Sequence, residues 1–124
     1  MTAVKLWEKE RRTVMAIDKS LIQGSLTMLI LRLLEERDMY GYEMIDTLRG
    51  RSENVFELKA GSLYPLLHSL EAKELVTVYE DDKTGKVRKY YHITGKGKKF
   101  LKEKKDEWNQ YASAVANVLS LQGI

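Results

Sequence analysis

Apolar residues recur at helical spacing through most of the chain, and the places where that spacing breaks locate the turns. Residues 3–17 alternate apolar and charged groups, with Val4, Trp7, Val14 and Met15 at roughly helical intervals, and predict a short first helix. Residues 21–37 are more strongly patterned: Ile22, Leu26, Leu29, Ile30, Leu33 and Leu34 share one broad face, and Ser20 or Ser25 is the expected cap. The polar break RDMYG ends that helix. Residues 42–49 then predict a shorter helix with Met44, Ile45 and Leu48 inward and Gly50 as its stop. Ser62 is the expected N-cap of a third helix, SLYPLLHSLEAKEL, in which Leu63, Leu66, Leu67 and Leu70 face the core. Pro65 would then fall in the first turn, where a missing N–H costs little.

LVTVYEDD has the Val, Thr and Tyr content of a strand, and KVRKYYHIT is a second one. The intervening DDKTGK joins them as a β-hairpin with a short basic tip. After Thr94 the spacing turns helical again. Leu101, Lys104, Trp108, Tyr111, Val115 and Val118 step by three and four, an a/d seam with one polar member. The seam is too short for a free-standing coiled coil, so this helix should pack on something else as well. The chain is therefore expected to be mostly α with a small β-hairpin. Three compact helices followed by a basic ribbon are the parts of a winged helix-turn-helix, here with a further helix at each terminus. The organisation read from the sequence is a short helix over 1–20, a winged helix DNA-binding domain over 21–94 and a long C-terminal helix over 95–124.

At 124 residues, with 44% apolar and 31% charged side chains, the chain has the size and composition of one globular core. The absence of cysteine excludes disulfides, thiolate zinc sites and cysteine nucleophiles. With only His68 and His92, a His-rich metal cluster or a two-His relay is not expected, and no metal or cofactor is. GKGKK lacks the spacing of a phosphate-binding Walker loop. No apolar run approaches the ~20 residues of a membrane span, and the N-terminus has no signal-peptide pattern, so a cytoplasmic protein without a membrane partner is expected.

Charge changes the picture. Residues 83–105 hold ten Lys and Arg against the single acid Glu103, a net of +9, which leaves −6 on the remainder of a chain whose formal charge is +3. Charge focused in this way attracts a polyanion. A major groove about 12 Å wide admits a helix, and a ribbon beside it can set cations against phosphates or in the minor groove. The candidate DNA-contacting residues are Tyr42, Lys59, Ser62, Tyr64, His68 and Lys73 on the helices, and Lys83, Lys86, Arg88 and Lys89 on the hairpin. For Tyr64 two roles stay open, a phosphate contact through its hydroxyl or a ring packed beneath the wing. Lys96, Lys98 and Lys99 start the last helix, where the dipole disfavours cations, so either a nearby anion or full solvation must offset them.

Three motifs in order resemble the PadR family of bacterial transcriptional repressors, over roughly residues 21–119. YGYEMIDTL resembles the family's second-helix motif, GSLYPLLHSLEAKELV its recognition helix, and RKYYHITGKGKKFL the second wing strand running into the last helix. Two positions depart from the pattern. Members commonly carry Gly before Leu-Val where this chain has Lys73-Glu74, which puts the shape of that turn in question, and His92 stands where relatives often have Arg.

The resemblance implies a homodimer whose terminal helices pack on the partner, and Trp7, Trp108, Tyr111, Val115 and Leu119 are large groups of the kind such a seam would bury. It also implies a double-stranded DNA operator as partner and a small aromatic or cationic effector. In one multidrug-binding branch a Trp at the spacing of Trp108 lines a pocket at the dimer centre, and Trp7, Trp108, Tyr111 and Val115 are the candidate ligand or dimer-centre residues. The leading expectation is a ligand-responsive repressor without chemistry of its own. The competing class is a winged-helix protein-interaction adaptor that does not read DNA. No spacing suggests a nucleophile–base pair, so an enzyme is not expected.

Overall fold

The computed structural model describes residues 19–119, with side chains from Ser25 onward. The first predicted helix, and Trp7 with it, lies outside the described residues. Seven elements follow in order: α1 (Lys19–Glu36), β1 (Met39–Tyr40), α2 (Gly41–Arg51), α3 (Ala60–Ala72), β2 (Val76–Asp81), β3 (Arg88–Ile93) and α4 (Gly95–Val118). None of the described helices is long and apolar enough to cross a membrane.

α1 is the centre of the molecule, touching α2, β3 and α4. Leu26, Ile30, Leu31, Leu33 and Leu34 are all buried, so its buried arc is wider than the single predicted face: Leu31 is fully covered, while Leu29 is only partly so. A helix packed on several sides buries more than one stripe. Ser20 and Ser25 both lie inside α1, which begins at Lys19, a correction to the expected boundary.

α2 also runs past its predicted stop. It continues through Gly50 to Arg51, and Ser52 closes it by donating its N–H to the Leu48 carbonyl at 3.1 Å. Gly50 has nothing within reach of a Cβ and sits in ordinary helix, so no left-handed stop forms there. At the other end the Glu43 carboxylate accepts from the Tyr40 N–H at 3.3 Å and pairs with Arg37 at 2.8 Å.

The start of α3 lies earlier than the predicted Ser62 cap. Lys59 is the N-cap, its carbonyl accepting from Ser62 at 3.0 Å and from Leu63 at 2.9 Å. Pro65 consequently lies in the second turn, inside the helix, where the missing donor leaves the Gly61 carbonyl without its usual partner. Leu63, Leu67 and Leu70 are buried as expected and Leu66 partly so.

The end of α3 explains the departure at Lys73-Glu74. Glu74 has φ +62° and donates to the Glu71 carbonyl, while Leu75 donates back to Leu70, both at 2.9 Å. This pair of bonds is a Schellman closure, whose left-handed residue is ordinarily glycine.

The sheet is three-stranded and antiparallel in the order β1-β3-β2, not a lone hairpin. The RDMYG break contributes the extra strand: Met39 pairs with Tyr91 and Tyr40 with Tyr90. Two residues are too few to show a strand periodicity in sequence. β2 and β3 pair from Val76↔Ile93 to Asp81↔Arg88, and the tip turns at Gly85, which has φ +85° and donates to the Asp82 carbonyl at 2.8 Å.

α4 is anchored at its first turn. Thr94 accepts from the Gly97 N–H at 3.0 Å and donates its hydroxyl to the Glu74 carbonyl at 2.7 Å. Gly97 lies directly on the Leu75 carbonyl, a close approach that leaves no room for a Cβ. Beyond Lys104 the predicted seam is bare: Trp108 is 51%, Tyr111 65% and Val118 84% exposed.

Candidate nucleic-acid interface

β1 is the hinge point between the helices and the wing, because Tyr40 belongs to the sheet and Gly41 opens α2. On the helical side the Tyr64 ring of α3 lies across Gly41, so close that a Cβ there would fall 2.9 Å from the ring carbon Cζ. Tyr64 is 40% exposed, and the residue after Gly41, Tyr42, projects further at 63%. On the wing side the Arg88 guanidinium sits 4.4 Å from the centre of the Tyr40 ring. Tyr64, Gly41, Tyr40 and Arg88 therefore make a continuous path from the third helix to the second wing strand.

The remaining predicted helical residues are spread along α3. Lys59, Ser62 and His68 are exposed, and so is Lys73. Lys59 and Lys73 flank opposite ends of the 13-residue helix, about 20 Å apart at its usual rise. A single short contact cannot use both. The Ser62 hydroxyl, freed from the capping role the sequence suggested, is an outward group on the first turn.

The wing cations are less free than the sequence implied. Glu80, Asp81 and Asp82 precede Lys83, Lys86, Arg88 and Lys89, so the hairpin holds three acids against four bases. Pairing sets Glu80 opposite Lys89 and Asp81 opposite Arg88, where unlike charges attract across the strands. Lys83 Nζ rests 4.0 Å from the centre of the Tyr90 ring, and Arg88 Nε donates to Thr84 Oγ1 at 3.2 Å. Lys86 and Lys89 are exposed and have no ion pair among the described residues. The +9 of residues 83–105 is thus split between the four cations of the hairpin and a net +5 on α4, where Lys98, Lys99 and Lys105 are likewise exposed and unpaired among the described residues, while Lys96, Lys102 and Lys104 lie against Glu74, Asp106 and Glu107.

An aromatic and polar cluster behind the wing was not singled out from the sequence. Tyr79 stacks on Tyr90 at 5.8 Å and Tyr40 meets Tyr90 edge-on at 5.5 Å. The Tyr90 hydroxyl is buried without a hydrogen-bond partner among the described residues. The Tyr79 hydroxyl donates to Asp38 Oδ2 at 2.6 Å, and His92 Nδ1 lies 2.8 Å from Asp38 Oδ1. Partial burial pushes the Asp38 carboxyl up, but the hydrogen bonds of Tyr79 and His92 and the positive field of His92 and Lys83 outweigh it and hold the group below its ordinary value. The same bond keeps the Tyr79 phenol protonated, pushed up to about 12. The hairpin register would have paired Tyr79 with Tyr90 from sequence. Nothing local signalled Asp38.

A family model, the transcriptional regulator PadR-like family, matches residues 30–103. An uncharacterized protein of Lysinibacillus sphaericus is 41% identical over 100 residues, covering 80% of this chain and 92% of that one. Transcriptional regulator YqjI of Escherichia coli is 30% identical over 84 residues, 68% of this chain but only 39% of its own length. The crystal structure of a PadR family transcriptional regulator from Eggerthella lenta superposes with a TM-score of 0.73 at 28% identity, covering 98% of this chain and all of that one. With its winged helix fold and the match across its centre, the chain belongs to the PadR-like family of transcriptional regulators.

Proposed function

We propose that the chain is a dimeric, sequence-specific DNA-binding regulator, a ligand-responsive repressor built from a winged helix domain over 21–94 and a dimerisation helix over 95–124. The observation that carries this reading is the path Tyr64–Gly41–Tyr40–Arg88, a chain of contacts that ties α3 to the wing. Tyr42, Lys59, Ser62, Tyr64, His68 and Lys73 would meet the duplex from the helices, and Lys83, Lys86, Arg88 and Lys89 from the wing. Lys86 and Lys89 supply the uncommitted charge; Lys83 and Arg88 are already seated on Tyr rings and present it from fixed positions.

The second copy would cover the exposed stripe of Trp108, Tyr111 and Val115 on α4, continued by its C-cap Leu119. Two-fold pairing would then set two α3 helices on half-sites about one helical turn apart. Trp108 and Tyr111 would offer a small aromatic or cationic effector a stacking platform at that seam. Its partners are accordingly a double-stranded DNA operator, a second copy and such an effector.

The test is fluorescence anisotropy with fragments of the genome from which the chain comes, titrated at several salt concentrations. Specific binding whose logarithm falls linearly with the logarithm of salt supports the reading, because each neutralised phosphate releases counterions. One observation favours the adaptor alternative: Glu80, Asp81 and Asp82 nearly neutralise the hairpin. That alternative predicts no duplex binding even at low salt.

A further inference from the structure

Residues far apart in sequence converge on one carboxylate. Asp38 lies in the bend between α1 and β1, and its two oxygens are 2.6 Å from the Tyr79 hydroxyl and 2.8 Å from His92 Nδ1. Tyr79 belongs to β2 and His92 to β3, so the group ties both wing strands to one point of the helical body across 41 and 54 residues of sequence. Its influence extends further. Tyr79 stacks on Tyr90, and Lys83 rests on that same Tyr90 ring, so the placement of a wing cation depends on where Tyr79 is held.

The sign of the charge makes the arrangement informative. A wing that already carries Glu80, Asp81 and Asp82 is a poor place for a further acid if the surface must attract a polyanion. Asp38 is only 28% exposed, and both oxygens are engaged. An acid held there costs long-range attraction, and what it provides in return is geometry.

We propose that Asp38 is the positioning residue of the wing: its carboxylate fixes β2 and β3 against the helices and thereby sets where Lys83, Lys86 and Lys89 meet DNA. The proposal rests on the DNA-binding reading above, and Asp38 itself touches no DNA in it. Electrostatics alone predicts that removing this acid tightens binding, whereas a positioning role predicts the reverse. Asn and Ala remove the same charge, but only Asn keeps an acceptor for Tyr79, so any difference between them reports the hydrogen bonds.

The experiment compares the full chain with Asp38→Asn, Asp38→Ala, Tyr79→Phe and the Asp38→Ala/Tyr79→Phe double variant. Amide hydrogen exchange of β2 and β3 is followed by NMR, and binding to a mixed-sequence duplex at low salt by anisotropy. Circular dichroism confirms that each variant is folded at the working temperature. Asp38→Ala and Tyr79→Phe should speed exchange in the wing and weaken binding by on the order of threefold to tenfold, with the double variant no weaker than either single one. Asp38→Asn should bind as well as the parent or better. Unchanged wing exchange in Asp38→Ala, or tightening by Ala equal to that by Asn, overturns the proposal. A parent chain that binds no duplex sinks the DNA-binding reading instead, while the exchange data still decide whether Asp38 places the wing.

Discussion

Glu74 holds a left-handed backbone, φ +62°, because the α3 closure and the start of β2 require it, and a Cβ in that region costs roughly 1–2 kcal/mol. Its ion pair with Lys96, at 3.8 Å between well-exposed groups, offsets little of this. Glu74→Gly should therefore stabilise the fold, by about 0.5–1 kcal/mol once the extra freedom of glycine in the unfolded chain is subtracted. Urea denaturation is the check, and a lower midpoint for the variant would refute the strain. The titrations of Tyr79 and Asp38 belong to the same scale. The Tyr79 phenol is raised from 10.0 to about 12, so its bond contributes stability that is fully present below pH 10 and is lost as pH climbs through about 12. Asp38 is the opposite case: depressed below 3.8, it contributes stability present above that value and lost as pH falls through the folded-state value. A carbon-13 NMR titration should find Tyr79 ionising near pH 12 in the parent and closer to 10 in Asp38→Ala.

Between elements, close approaches that exclude a Cβ set the angles. Gly97 lets the first turn of α4 settle on the Leu75 carbonyl, with Ile93 Cγ1 2.8 Å from where a Cβ would stand. Backbone cannot swing aside as a side chain can, so Gly97→Ala should cost on the order of 1–3 kcal/mol and loosen the α4 anchor. Gly41→Ala meets only the far end of Tyr64, which can rotate outward; its main effect should be to break the path from α3 to the wing. At the wing, replacing Lys86 and Lys89 together by Ala should weaken binding to all duplex sequences alike and lower the salt slope by about one for each phosphate no longer neutralised. An unchanged slope would place the phosphate-binding cations elsewhere, with the exposed lysines of α4 the next group to replace.

For the whole molecule, the proposed dimer rests on α4. Only Gly97, Leu101 and Ala116 of its 24 residues are buried, while Trp108, Tyr111 and Val118 stand out into solvent. Trp108→Lys with Tyr111→Lys should shift sedimentation toward the monomer while leaving the helical signal of the winged helix intact, because neither residue belongs to the core. A planar cationic dye should quench Trp108 on binding at the seam, and saturation identical in Trp108→Phe would remove the effector site from this position.

Much of this molecule is written locally. Apolar residues three and four apart fix the inward faces of α1, α2 and α3, because burial follows a period that neighbouring residues share, and the Val, Thr and Tyr content on either side of DDKTGK marks the hairpin. The motifs that carry the family lie on those same segments. Helix ends were less legible: Ser25, Gly50 and Ser62 are good terminal residues by type, yet each sits inside a helix that packing extended past it. The third strand and the Asp38 cluster were decided only by tertiary structure. A two-residue strand exists because β3 supplies its partner, and a carboxylate finds a phenol 41 residues away only after the sheet and helices have met. Periodicity specifies which side of an element is buried, but the choice of polar partners is made in three dimensions.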